Sequence, residues 1–103
     1  MDKRTPTYDL EAFQTAFSKV ERLNVTGAAL RSAAALGCGR TEIVETIQTM
    51  RRAHFVKSMT AYADHRAWQD VYHVPRGDLV FYVKFTADVV MEFRLLSFKE
   101  REA

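Results

Sequence analysis

Cysteine is almost absent from this sequence: Cys38 stands alone among 103 residues. A single cysteine excludes an internal disulfide and any metal site built from a cysteine cluster. No apolar run approaches the roughly 20 residues that a membrane-spanning helix requires. The opening "MDKRTPTYDLEAF" lacks the apolar stretch of a secretory signal, so a reducing cytoplasm is the expected compartment. An excess of one charge is missing too. The net charge of +2 is spread over both halves of the chain, without a basic tail. Any contact with nucleic acid must then come from a local patch.

What is present is an ordinary globular composition. Apolar residues make up 48% and charged residues 27%, enough for one core and too apolar for a disordered chain. The length suits one domain, residues 1–103.

The first half reads as helices, over residues 9–52. Asp9 can cap a first helix, and Tyr8 with Phe13 fits a hydrophobic staple at its entry. Leu10, Phe13, Phe17 and Val20 recur at helical spacing. Asn24 or Thr26 can cap a second, alanine-rich helix that Gly37 stops. Thr41 can cap a third, with Ile43, Val44, Ile47 and Met50 as its buried face. "RTPTY" either starts the first helix or adds a short edge strand.

The second half, residues 54–100, changes period. "HFVKSMTAY", "AWQDVYHV", "DLVFYVKFTA" and "VVMEFRLLSFK" are β-rich runs divided by "ADHR", by "PRGD" and by Asp88. Short connections imply antiparallel neighbours. The expected fold class is α+β, with N-terminal helices packed on a four-stranded C-terminal antiparallel sheet.

Side chains alternate across a strand. Phe81, Val83 and Phe85 should face the helices, leaving Tyr82 and Lys84 outward. Lys57 with Met59, Gln69 with Val71, and Ser97 with Lys99 share faces in the other runs. Each strand can therefore offer one long polar side chain to a common open face: Lys57, Gln69, Tyr82 and Lys99. The plain alternative is that any antiparallel sheet has one wet face.

Two lysines, a tyrosine and a glutamine suit a phosphate better than a metal. RNA cleavage by the 2′-hydroxyl needs a base for the 2′ proton, cations for the charge gathering on phosphorus and an acid for the leaving 5′ oxygen. Lysine and tyrosine can move protons if burial or neighbouring cations lower their pKa. Tyr62, Trp68 and Tyr72 are aromatic groups able to stack on unpaired bases, although regular alternation turns Trp68 away from Gln69 and into the core. His65 has a suitable intrinsic pKa for a general base, yet "ADHR" reads as a turn that Asp64 and His65 order. His54 and His73 have weaker cases.

"RTP" at Arg4 to Pro6, "KSMTAYADHRAWQDVYH", "FYVKF" and "LLSFKE" follow one another in an order and spacing that resembles the motility quorum-sensing regulator family of bacterial toxins. The resemblance implies a RelE-like α+β fold and a messenger-RNA endoribonuclease that acts without the ribosome and favours GCU-type triplets. It also implies a zinc-containing, DNA-binding antitoxin as partner, with DNA reached only through the toxin–antitoxin complex. No cofactor and no metal in the toxin are expected. Carried over by position, the family's active-site lysine falls on Lys57, its glutamine on Gln69, its tyrosine on Tyr82 and its C-terminal lysine on Lys99. Met59, Lys84, Arg76 and Tyr62 are the accompanying candidates for RNA contact. Competing readings are a module that binds RNA or a partner without cutting, and a co-regulator that acts only with its antitoxin.

Overall fold

The computed structural model describes residues 1–102. Helix α1 (Leu10–Ala16) starts at Asp9, which takes the extended N-cap backbone without a side-chain bond. Phe13 stacks on Phe85 with ring centroids 3.7 Å apart and planes 3° apart. Tyr8 and Phe13 both pack on Phe85 and Phe93. The apolar stripe breaks earlier than its spacing predicts, and Val20 opens a separate 3-10 turn, Val20–Arg22. Helix α2 (Gly27–Ala35) is capped by Thr26, whose Oγ1 accepts from the Ala29 N–H at 3.1 Å. It ends in a Schellman motif: the Cys38 N–H reaches the Ala33 carbonyl and the Gly37 N–H reaches that of Ala34. Gly37 supplies the positive φ of 76° that this ending demands.

Helix α3 (Arg40–Gln48) corrects the expected Thr41 cap. It begins earlier, at Arg40, because the Glu42 carboxylate accepts the Gly39 N–H at 2.6 Å and closes the first turn. Ile43, Ile47 and Met50 are buried as their spacing predicts, and Thr46 joins them while Val44 stays half-buried.

Among the described residues the sheet has five antiparallel strands in sequential order: β1 (Asp2–Lys3), β2 (Phe55–Thr60), β3 (Trp68–Arg76), β4 (Leu79–Ala87) and β5 (Phe93–Glu100). The added strand is Asp2–Lys3, pairing with Met59 and Ser58. "RTPTY" is neither helix nor strand. The "PRGD" turn is tighter than its breakers suggest: β3 runs through Pro75 and Arg76, and the hairpin closes on Gly77 (φ 61°) and Asp78. Asp88 organises the last turn, its carboxylate accepting from the Val90 and Glu92 N–H groups. Asn24 and Thr26 bond along the free edge of β5, through Leu95 and the carbonyls of Phe93 and Leu96. That covers an edge otherwise open to pairing with another chain. The helices pack on one face of the sheet, against Tyr72, Val74, Phe81, Val83, Phe85, Leu95 and Phe98.

Register irregularities on β2 and β5 decide which side chains reach each face. Phe55 and Lys57 both pair with β3, but the register shifts between them. Phe55 meets the buried Tyr72 ring at 5.5 Å, and Lys57 pairs beside outward Val71. On β5 Ser97 pairs with Lys84 and Leu95 with Phe85, so Leu96 is the extra residue. Leu95 is fully buried while Ser97 and Lys99 fall on the opposite face. A bulge shifts alternation by one residue, which regular spacing does not reveal.

The segment leading into α1 is held by a buried carboxylate. Asp70 is fully buried and accepts from the Thr7 N–H with both oxygens at 3.1 Å and from the Tyr8 N–H at 2.9 Å. The hydroxyls of Thr7 and Ser58 lie 2.6 Å apart. The Tyr8 hydroxyl donates to the Trp68 carbonyl at 3.0 Å. Asp70→Ala leaves the part-buried Thr7 and Tyr8 N–H groups without their acceptor and is expected to cost about 2 kcal/mol, with Asp70→Asn intermediate. Denaturant unfolding checks this, and a loss below about 0.5 kcal/mol refutes the anchoring role.

Candidate functional site

The outer face of the sheet is ordered into rows by strand pairing. One row runs Asp2, Met59, Gln69. The next runs Lys57, Val71, Lys84, Ser97. The third runs His73, Tyr82, Lys99. Neighbouring strands lie about 4.8 Å apart and residues two apart on a strand about 6.7 Å. Lys57, Gln69, Tyr82 and Lys99 therefore share one compact face opposite the helices, together with Met59 and Lys84. The middle row has an apolar floor, since Val71 is fully buried even on this side.

The electrostatics of the face are uneven. Lys57 sits 3.6 Å from the Asp2 carboxylate, a partly exposed ion pair that contributes little to stability. Lys84 is half-buried, and burial followed by the nearby charge of Lys99 pushes its ammonium below the ordinary lysine range. Lys99 is exposed, its Nζ 5.3 Å from the Tyr82 ring centroid. Burial pushes the Tyr82 phenol up. Tyr82 thus keeps its proton near neutrality and is no resting base, and the shift runs opposite to the lowering expected from the sequence, making the phenol a weaker acid than a free one. A cavity of about 280 Å³ opens at the third row, lined by His73, Tyr82, Lys99, Arg101 and Glu102.

Comparison with known proteins bears on this face. Residues 5–100 match the family described as motility quorum-sensing regulator, toxin of MqsA. The chain belongs to this toxin family. It is also 35% identical to the mRNA interferase toxin MqsR of Escherichia coli (strain K12), over 98% of this chain and 100% of that protein.

Other expected contacts of the toxin lie apart from the rows. Arg76 points to the helical side, where it donates to the Glu42 carbonyl at 3.0 Å, to Thr46 Oγ1 at 2.6 Å and to Glu45 at 2.9 Å. Alternation along β3 puts it with Val74 and Tyr72, and α3 supplies three acceptors. Tyr62 is fully exposed on the turn between β2 and β3. Tyr72 is no stacking platform: it is fully buried, its hydroxyl has no hydrogen-bond partner among the described residues, and burial followed by Asp70 pushes its pKa to about 12. Trp68 is half-buried with Lys3 Nζ 4.2 Å over its ring. His65 is exposed in the "ADHR" turn, which Asp64 orders by accepting from the Arg66 N–H.

The sequence reading gave His73 only a weak case as a base and left it out of the face. The signal was available, because His73 lies four residues after Gln69 on β3 and so shares its face. Its ring centroid is 5.9 Å from that of Tyr82.

Arg76→Ala is expected to lower stability by about 1–2 kcal/mol through loss of the α3 contacts, while the folded variant retains the parent's activity on RNA. Thermal melting and a cleavage assay below the transition separate these effects. Lost cleavage in a folded Arg76→Ala protein would assign the residue to RNA instead.

Proposed function

We propose that this chain is the toxin of a type II toxin–antitoxin pair: a single-domain cytoplasmic endoribonuclease that cuts single-stranded mRNA at GCU-like triplets without ribosome or metal. The observation that carries the reading is the shared outward face of Lys57, Gln69, Tyr82 and Lys99 in a chain of the toxin family. The Escherichia coli relative is named an mRNA interferase, which supports mRNA as the substrate. A zinc-containing, DNA-binding antitoxin is the proposed partner, and the family's description as toxin of MqsA supports an antitoxin of that kind.

The chemistry follows from the groups on the face. Attack of a 2′-hydroxyl on the adjacent phosphate adds negative charge to the phosphoryl oxygens. Lys57, Lys84 and Lys99 supply cations in adjoining rows, so charge stabilisation comes from ammonium groups. Tyr82, held protonated by burial, donates its proton to the leaving 5′ oxygen. Gln69 and Met59 occupy the first row, where an amide offers both donor and acceptor to a base edge and a thioether offers adaptable apolar contact.

Purified protein and a defined RNA carrying GCU sites, with a chelator and no ribosomes, test the reading. Cuts at those triplets are expected, leaving a 2′,3′-cyclic phosphate and a 5′-hydroxyl. Lys57→Ala and Tyr82→Phe should each reduce kcat by about 100-fold or more with unchanged melting. RNA binding without any cutting by the parent protein would replace the enzyme with a binding module. Loss of cutting on chelation would require a metal.

A further inference from the structure

The third row holds a titratable group that the reaction above does not use. His73 pairs with Tyr82 across β3 and β4, and Tyr82 pairs with Lys99 across β4 and β5. Tyr82 therefore stands between an imidazole, ring centroids 5.9 Å apart, and an ammonium 5.3 Å from its own ring. These three residues line the same cavity with Arg101 and Glu102. Its volume of about 280 Å³ falls near the lower end of small-ligand sites. That gives a phosphate and its sugar room beside the imidazole, with Lys99 and Arg101 as cationic walls.

We propose that His73 is the base of the cleavage, taking the 2′-hydroxyl proton from a ribose seated in the cavity it lines with Tyr82, Lys99 and Arg101. This rests on the endoribonuclease reading. The unprotonated ring nitrogen accepts the 2′ proton as the O2′–P bond forms. The P–O5′ bond breaks, its electron pair stays on O5′, and the Tyr82 hydroxyl protonates that oxygen. A cyclic phosphate and a 5′-hydroxyl leave, and proton exchange with solvent returns imidazolium and phenolate to their starting forms.

The surroundings of His73 favour the form that a base requires. Burial, followed by the positive charge of Arg101, lowers its pKa below the ordinary 6.5. Burial raises that of Tyr82. Environments that push two neighbours apart in this way assign one as base and the other as acid. The charged and titratable groups around His73 come from several elements. They are Tyr82 and Lys84 from β4, Lys99 from β5, Arg101 and Glu102 beyond it, and Lys57 from β2, while Arg52 in the turn before β2 lies over the Phe55 ring instead.

The test uses the full chain, RNA with GCU sites, and the same RNA carrying 2′-O-methyl groups, which cannot be cut. For the parent, kcat/KM should rise with pH through an inflexion below 6.5, because the base works only when deprotonated and this parameter reports the free enzyme. His73→Gln should lose about 100-fold in kcat, lose that inflexion, keep its melting transition and bind the methylated RNA as the parent does. Added imidazole should restore part of the rate to His73→Ala. A folded His73→Gln that cuts at the parent rate with the same pH profile overturns the proposal. So does equal loss of cutting and of methylated-RNA binding, which would make His73 a binding residue. If the parent itself does not cut, the endoribonuclease reading falls. If the parent cuts and Lys57→Ala does not, while the His73 variants cut normally, this inference alone fails.

Discussion

A buried carboxylate sets the frame for the rest of the molecule. Asp70 has no solvent exposure and meets its charge with the N–H groups of Thr7 and Tyr8. An ionised group in that position is tolerable only when such donors are fixed in place. The bond therefore works both ways: the sheet positions the segment before α1, and that segment stabilises the charge in the middle of β3. Tyr8 then brings its ring onto Phe85 and Phe93. Phe13, on the helix that follows, stacks on Phe85 as well. The packing of α1 is thus tied to a residue that lies next to Gln69.

That adjacency explains the density of polar groups in "KSMTAYADHRAWQDVY". The stretch serves two faces at once. Lys57, Met59 and Gln69 point out, while Ser58, Thr60, Asp70 and Tyr72 are buried on the other side. The outward half was legible in the sequence because alternation needs only a parity and an apolar set to fix it. The inward polar half was not, since Asp70 and Ser58 find their partners more than fifty residues earlier in the chain. Local spacing carries no information about such contacts. The same limit explains Arg76, whose acceptors belong to α3, and the edge strand Asp2–Lys3, which has too few residues to show a period. His73 was undervalued rather than missed. It stood inside the run "AWQDVYHV" with the parity of Gln69, but only the pairing of β3 with β4 sets it opposite Tyr82.

The rows divide labour in a way that charge alone would not suggest. Lys57 has an acidic neighbour, Lys84 is depressed by burial and by Lys99, and Lys99 itself is exposed. Three lysines of equal formal charge thus differ in their surroundings. Hydration weakens an exposed ammonium as an electrostatic group, whereas a partly buried one acts through a lower effective dielectric. In the proposed cleavage, Lys84, opposite the buried Val71 and next to Tyr82, is the lysine assigned to charge that appears only during reaction. The same proposal assigns exposed Lys99 to drawing the RNA backbone onto the face.

The two bulges connect this division to the fold. A strand of strict alternation that turned Phe55 inward would also turn Lys57 inward, and one that buried Leu95 would also bury Ser97 and Lys99. Val56 and Leu96 absorb the extra residue, so β2 turns half-buried Phe55 and β5 turns buried Leu95 to the helical side while each presents its lysine on the other face. β3 and β4 pair without such an irregularity, and there Gln69, His73, Tyr82 and Lys84 hold one face throughout. The regular central pair keeps His73 opposite Tyr82, while the bulges on β2 and β5 bring Lys57 and Lys99 to the same face. A one-residue slip on either flank would exchange a site lysine for a core residue. The geometry of the face is therefore protected by the same hydrophobic contacts that hold the helices to the sheet.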